Sequence, residues 1–405
     1  MGREHVLPEM ETGAAGVMSS AAIASTTPAL PLSRQLLSDS YVFKWELQSF
    51  RGDFFFTIAI AICLGVGLAA GHPAAGMIAA GCAMTTGFAA KHNIDGSPLP
   101  TMIFVSLGMA FSTFVGMVAG HEGAALLLIA TAFGFGYGML ASRPSYSWVG
   151  QQCVVTLLVA SAFPFSARDA VVRAALILAG GLVQLLCSVV ILRALSELRG
   201  HLRELARYVR DEDVALRATY LEAVRSVRQR TLRGSALPYA LRLAAVLAIS
   251  TEVYRRLHFS SGYWIPMTAL LVMRPGIADT ANRAVARTVG TLAGAILAST
   301  FLIYVHPAPV GLAALVVLFT WLSYSLLNVN YALFSIALTS YIVFLLSLAN
   351  IPGAEIAHRR AVCTLIGGLL ALAVRLVVIH NRDVEDLREL GASGRTAQTA
   401  PHQPG

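Results

Sequence analysis

Arg283, Arg287, Gly290 and Gly294 stand four, three and four residues apart, which places them on one face of a helix. A guanidinium keeps its charge and grips a carboxylate through two parallel hydrogen bonds. Two of them leading into a glycine groove suit the recruitment of an organic acid. Snorkelling to lipid phosphate is the competing reading. Upstream, Tyr263 and Trp264 could stack on an aromatic ligand or serve as interfacial belt residues. They open an apolar piece, Tyr263 to Met273, about half the roughly 20 residues that a crossing helix needs. Pro266 interrupts it and Arg274-Pro275-Gly276 ends it, so the spacing predicts a broken span followed by a long helix. Arg274 joins the basic residues on that side.

A second arginine pair is written into a repeat. Arg173-Ala-Ala-Leu-Ile-Leu-Ala-Gly180-Gly181 aligns without gaps against Arg360-Ala-Val-Cys-Thr-Leu-Ile-Gly367-Gly368. Ser112-Thr-Phe-Val-Gly116 aligns with Gly290-Thr-Leu-Ala-Gly294 in the same way. Arg173 and Arg360 either form an exit-side anion site or pair with Asp169 and Glu355. The small residues Gly180, Gly181, Gly290, Gly294, Gly367 and Gly368 let helices approach closely, as packing sites or as the lining of a route. His72, His121, His258, His306 and His358 fall in or beside outer turns, so His121, His258 and His306, with Glu122 and Glu252, are candidates for proton coupling. Interfacial placement is the alternative. Five cysteines lie inside apolar runs with no ligand spacing, and no nucleophile–base pair or Walker loop is visible. Gly134-Phe-Gly136-Tyr-Gly138 has no preceding strand and no following Lys-Ser/Thr, so it reads as helix packing. We expect no enzyme activity, no cofactor and no metal.

The elements that must position these residues are membrane helices. The chain has 405 residues, 56% hydrophobic and only 13% charged, where a soluble domain carries nearer a quarter charged. The formal charge of +8 sits in loops between apolar runs, so it does not indicate nucleic acid. The expected fold is an all-α polytopic membrane protein of about 12 membrane segments, arranged as two six-helix halves related by a parallel internal repeat. The predicted boundaries are 1–52, a disordered tail with an interfacial helix; 53–192, the first repeat; 193–236, an amphipathic cytoplasmic linker; 237–380, the second repeat; and 381–405, a cytoplasmic tail. The linker stretch Arg193 to Arg233 holds ten arginines, which the positive-inside rule places in the cytoplasm with both termini. It reads as a connector lying on the headgroups or as a regulatory interaction surface.

The stretch from Gly262 to Ser299 resembles the fusaric acid resistance family. The resemblance rests on Tyr263-Trp264-Ile-Pro266-Met-Thr-Ala-Leu, Arg274-Pro-Gly, and Arg283 with Arg287-Thr-Val-Gly290-Thr-Leu-Ala-Gly294-Ala. The Arg-Gly-Gly segments fit it as well, and the likeness extends from Phe54 to Ile379. It implies an inner-membrane protein of bacteria that exports small aromatic or related organic acids, often with a periplasmic adaptor protein. Long members carry a sizeable cytoplasmic domain between the halves, where this chain has about forty residues. The expected activity is proton-driven efflux, with Arg283 and Arg287 attracting the carboxylate and Tyr263 and Trp264 facing the ring. The alternatives are a passive organic-anion channel, since plant malate channels look similar here, and a non-transporting scaffold. Membrane lipids and the organic acid are the expected partners, and an oligomer is compatible with the sequence.

Overall fold

Within hydrocarbon every backbone N–H and C=O needs a partner in the same structure, and a helix supplies one for each. The apolar runs accordingly fold as helices. The computed structural model describes residues 42–377 apart from 49, 95, 165, 195–235, 258, 260 and 350. The expected linker and tails therefore lie outside the described residues for almost all of their length, and so does His258.

Thirteen α-helices follow one another among the described residues. They are α1 (Phe50–Phe55), α2 (Thr57–Ala69), α3 (Pro73–Ala89), α4 (Leu99–His121), α5 (Gly123–Met139), α6 (Pro144–Ala160) and α7 (Ala167–Ala194), then α8 (Ala236–Leu257), α9 (Trp264–Val272), α10 (Ile277–Val305), α11 (Pro309–Leu326), α12 (Tyr331–Ser347) and α13 (Gly353–Val377). Where the sequence predicts an interfacial helix, a single 3-10 turn at Trp45–Leu47 precedes α1. Proline opens α3, α6 and α11, at a position where its missing N–H costs nothing. Asn330 caps α12 through its side-chain oxygen, which accepts from Leu333 N at 3.0 Å.

Eight stretches are long and apolar enough to cross a bilayer: Gly52–Ala69, Leu99–His121, Gly123–Ser142, Ala167–Val190, Ala236–Leu257, Ile277–Val305, Pro309–Leu326 and Gly353–Val377. The chain is a multi-pass membrane protein. The twelve predicted segments all appear as helices, but α3, α6 and α12 have 17 residues each and α9 has nine. The exterior is apolar: Leu107, Phe111, Phe114 and Val118 are exposed along one face of α4, and Ile296 and Leu369 are two-thirds exposed. Buried hydroxyls are satisfied locally, as in Ser106 donating to Met102 O at 2.8 Å and Thr113 to Met109 O at 2.8 Å.

Helix α4 packs on α6 and α7, and α7 on α3; helix α10 packs on α12 and α13, and α13 on α9. The two parts of the chain meet along α5 against α8 and along α2 against α11. Their inner cores are continuous, with Leu157 and Leu158 of α6 in one cluster with Ile265 and Leu270 of α9. The expected end of α9 at Arg274-Pro275-Gly276 is present, but Pro266 lies inside the first turn of α9 and does not interrupt it, because the N–H it lacks has no intrahelical partner there; the upstream break falls before α9 instead. Ser261 before it has a φ of 64°, and Met273 after it is extended. The Arg274-Pro275-Gly276 bend is pinned from several sides. Arg242 Nη1 and Arg375 Nη2 both donate to Pro275 O, and Thr280 Oγ1 accepts from Arg274 N at 3.0 Å.

Candidate functional site

Helix α10 carries Arg283 and Arg287 down one face because residues four apart stack along a helix. The same face presents Gly290 and Gly294 to α12. A Cβ on Gly290 would lie 2.5 Å from Ser335 Cβ, and one on Gly294 would lie 2.5 Å from Ile336 O. Side chains there would separate the helices, so the glycines bring α12 directly against the arginine-bearing face. Ser340 Oγ donates to Gly294 O at 3.2 Å and fixes the register.

That register sets Arg287 on Tyr331. Arg287 is 3% exposed, and its Nη1 donates to the Tyr331 hydroxyl at 3.2 Å while its Nε has no hydrogen-bond partner. The Arg283 guanidinium carbon lies 3.3 Å from the Tyr331 ring centroid, so the same ring takes one arginine at its edge and another on its face. Arg274 is close enough for its charge to act on Tyr331 as well.

Arg360 comes to the same part of the protein from α13. It is 2% exposed. Its Nη2 donates to Thr339 Oγ1 at 3.3 Å, and its guanidinium carbon lies 4.0 Å from the Trp264 ring centroid. Its Nε and Nη1 have no hydrogen-bond partner. The charges of Arg287 and Arg360 act on one another. Gly367 makes this placement possible. A Cβ on Gly367 would lie 2.5 Å from Ile265 O, and Gly368 faces Ala284 Cβ at 3.9 Å. Helix α13 therefore lies against the start of α9 and against α10 together.

Tyr331, Ser335 and Thr339 stand at i, i+4 and i+8 on α12, so one hydroxyl-bearing face runs from Arg287 to Arg360. Ser335 Oγ, between the two, is buried without a partner. Guanidinium nitrogens and hydroxyls aligned in an apolar protein offer hydrogen bonds to an anion and neutralise its charge. Among the described residues no salt bridge reaches Arg287 or Arg360.

Tyr263 and Trp264 sit with ring centroids 5.2 Å apart, and Trp264 is buried in the core at 7% exposure. Arg173 is held elsewhere, its guanidinium carbon 3.9 Å from the Phe163 ring centroid and within reach of the Asp169 charge. Glu355 pairs with Arg359 on the exposed side of α13, and Arg360 faces the interior. His121, Glu122 and His306 are exposed at helix ends, and Glu252 is paired with Arg255 at 2.6 Å and Arg256 at 2.8 Å. Gly180 and Gly181 sit against Ala79 O and the Ser106 side chain, away from the buried arginines. Sequence reasoning missed Tyr331, Ser335 and Thr339; their four-residue spacing puts them on one helix face, but only packing shows that this face meets the arginines of α10. It also missed Arg242 and Arg375. Among the described residues, no group of His, Cys, Asp and Glu could hold a metal.

Residues 244–374 match the family described as fusaric acid resistance protein-like. The chain is also similar to the uncharacterised protein YhfK of Escherichia coli K12, with 34% identity over 166 residues, covering 40% of this chain and 23% of the relative. The uncharacterised protein slr1298 of Synechocystis is 27% identical over 165 residues, covering 40% of this chain and 22% of its own length. The chain thus spans less than a quarter of the length of these curated relatives. No solved structure matches it.

Proposed function

We propose, on the premise that residues 244–374 belong to the fusaric acid resistance protein-like family, that this chain moves small organic anions, aromatic carboxylic acids foremost, across a membrane. One observation carries the reading. Arg287 is a guanidinium buried in a membrane protein with its Nε unsatisfied, inside the family-matched stretch and at one end of a hydroxyl-lined helix face. Buried charge is costly unless paired, and a bound carboxylate would supply the pairing. Arg283 and Arg274 attract the anion at the start of α10. Arg287 takes the carboxylate, and Ser335, Thr339 and Arg360 receive it further along α12. Trp264 and Tyr263 border the Arg360 end and suit an aromatic ring.

We further infer that the chain is a diverged repeat of two six-helix halves, with the short helices α3, α6, α9 and α12 completing the count of twelve. Equivalent contacts support this. Gly180 meets the backbone of α3 as Gly367 meets that of α9, and Gly116 meets α6 as Gly294 meets α12. This correspondence sets Met109 opposite Arg287 and Val105 opposite Arg283, so the arginines belong to one half alone. The first half acts as a scaffold and the second as the conducting unit. An even helix count with an arginine-rich linker favours both termini in the cytoplasm of a bacterial inner membrane. Efflux would be proton-driven through exposed groups such as His121, Glu122 and His306 at helix ends, with Glu252 modulated by its arginine partners. A periplasmic adaptor enters the proposal only through the family resemblance.

The test is flux of labelled hydroxybenzoate in proteoliposomes with and without an imposed pH gradient. Accumulation that depends on the pH gradient supports driven efflux. Flux that only dissipates the anion's own gradient points to a channel. Absence of flux for every organic acid tried, in folded protein, contradicts transport and leaves the scaffold reading.

A further inference from the structure

Tyr331 stands at the first position of α12, 7% exposed, between the two arginines of α10. Its hydroxyl oxygen takes the Arg287 Nη1 hydrogen, the bond that a carboxylate oxygen would take. Its ring is held by Arg283 at 3.3 Å on one face and tilts against Phe334 with centroids 5.8 Å apart, while Asn330 just before it caps the helix. The phenol is thus fixed in place by contacts that do not involve its oxygen. A neutral oxygen is a weaker acceptor for a guanidinium than a carboxylate, whose charge-assisted bonds are roughly twice as strong. It can therefore keep Arg287 from being wholly unsatisfied without outcompeting a charged ligand. The Nε of Arg287 is buried without a hydrogen-bond partner, so the phenol alone does not satisfy the guanidinium.

We propose that the Tyr331 hydroxyl is the built-in occupant of the anion site, holding Arg287 when the site is empty and yielding it to the carboxylate of the substrate. This inference rests on the organic-anion reading above. In it, the arriving carboxylate takes the end-on edge of the Arg287 guanidinium, Nη1 with Nη2, and the Nη1 bond passes from phenol to carboxylate. Release runs in reverse, with the hydroxyl recapturing the guanidinium and helping to expel the anion. An internal competitor lowers apparent affinity and speeds release, as a transporter requires. Ser335, one turn along the same face and without a hydrogen-bond partner at its Oγ, is placed to take the displaced anion onward.

The test uses Tyr331→Phe, which removes the oxygen and retains the ring under Arg283. With benzoate as the probe in proteoliposomes holding the full chain, KM is expected to fall about five- to tenfold, from the loss of a hydrogen bond to a charged group, and kcat is expected to fall because release slows. An unchanged or raised KM with kcat reduced is what a purely structural role gives, and it would overturn the proposal while leaving the transport reading intact. A wild-type protein that neither binds nor moves benzoate or hydroxybenzoate sinks both. Should Tyr331→Phe fail to fold, fluorotyrosine placed at position 331 keeps the hydroxyl. Its fluorine resonance must shift on saturation with benzoate, and a resonance that stays put overturns the proposal.

Discussion

At the scale of single residues, the buried arginines divide function from stability. Removing one partner of a buried pair is destabilising, but replacing an unpaired buried charge by an apolar side chain of similar shape is often neutral or stabilising. Arg360→Met is therefore expected to keep or raise the thermal midpoint in detergent and to abolish anion flux; a large loss of stability would mark Arg360 as structural. Lys91 shows the opposite case. Its Nζ lies 2.9 Å from an Asp53 carboxylate that is almost fully buried, and donates to Tyr324 O at 2.6 Å. Lys91→Ala should cost about 2–3 kcal/mol, reduced from a fully buried pair because Lys91 is partly exposed, and Asp53→Asn added to it should cost little more, both read from denaturant or thermal unfolding. His92, outside the spans, stacks on Trp148 with centroids 4.6 Å apart; burial first, and then the neighbouring Lys91 charge, hold its pKa below the usual 6.5. The unfolded chain then takes up that proton first as pH falls, so this contribution is present above about pH 6.5 and is lost below it. His92→Phe should flatten that acid-side decline in a pH series of melting temperatures. The spacing of Arg283 and Arg287 made their shared face legible in sequence. Tyr331 was not legible, because an aromatic residue at the start of an apolar run looks like any belt residue. Arg360 was legible as an arginine near a glycine pair, but which helix those glycines admit depends on packing.

At the scale of elements, the glycines decide which helices touch. A Cβ on Gly180 would run into the Ala79 carbonyl, which is backbone and cannot step aside, while a Cβ on Gly65 meets nothing within 4 Å. Gly180→Ala should destabilise by about 1–3 kcal/mol. Gly65→Ala should be neutral or mildly stabilising, since alanine favours the helix by up to about 1 kcal/mol; thermal unfolding in detergent compares the two. Pro266 sits in the first turn of α9 and breaks nothing, whereas the end of that helix was legible from Arg274-Pro275-Gly276. The pinning of that bend by Arg242 and Arg375 was not, because those residues lie 33 and 100 positions from Pro275. The aligned Arg-Gly-Gly segments pointed to equivalent helices, and the glycine contacts pair α7 with α3 and α13 with α9 in matching fashion.

At the scale of the whole molecule, the two seams between the parts of the chain differ. Helices α5 and α8 pack closely, with Gly138 against Ala240. Between α2 and α11 a cavity of about 710 Å³ opens, lined by small and apolar residues including Ala61, Gly65, Ala313 and Ala314. The other end of that seam is fastened. Trp321 Nε1 donates to Phe50 O at 2.8 Å, Tyr324 OH to Met84 O at 2.8 Å, and Lys91 Nζ to Tyr324 O at 2.6 Å. The membrane class was legible from composition, because 13% charged residues cannot clothe a soluble protein of this length. The asymmetry of charge follows from the sequence itself, since carrying the alignment of Ser112–Gly116 with Gly290–Gly294 upstream sets Met109 against Arg287 and Val105 against Arg283. The central claim is that anions pass through the arginine and hydroxyl array of α10, α12 and α13. It is tested most directly by the flux of labelled hydroxybenzoate through proteoliposomes containing equal amounts of folded wild type or Arg287→Ala. At least a tenfold loss of flux in the variant, at unchanged thermal stability, is the predicted result. Equal flux from the two proteins would contradict it.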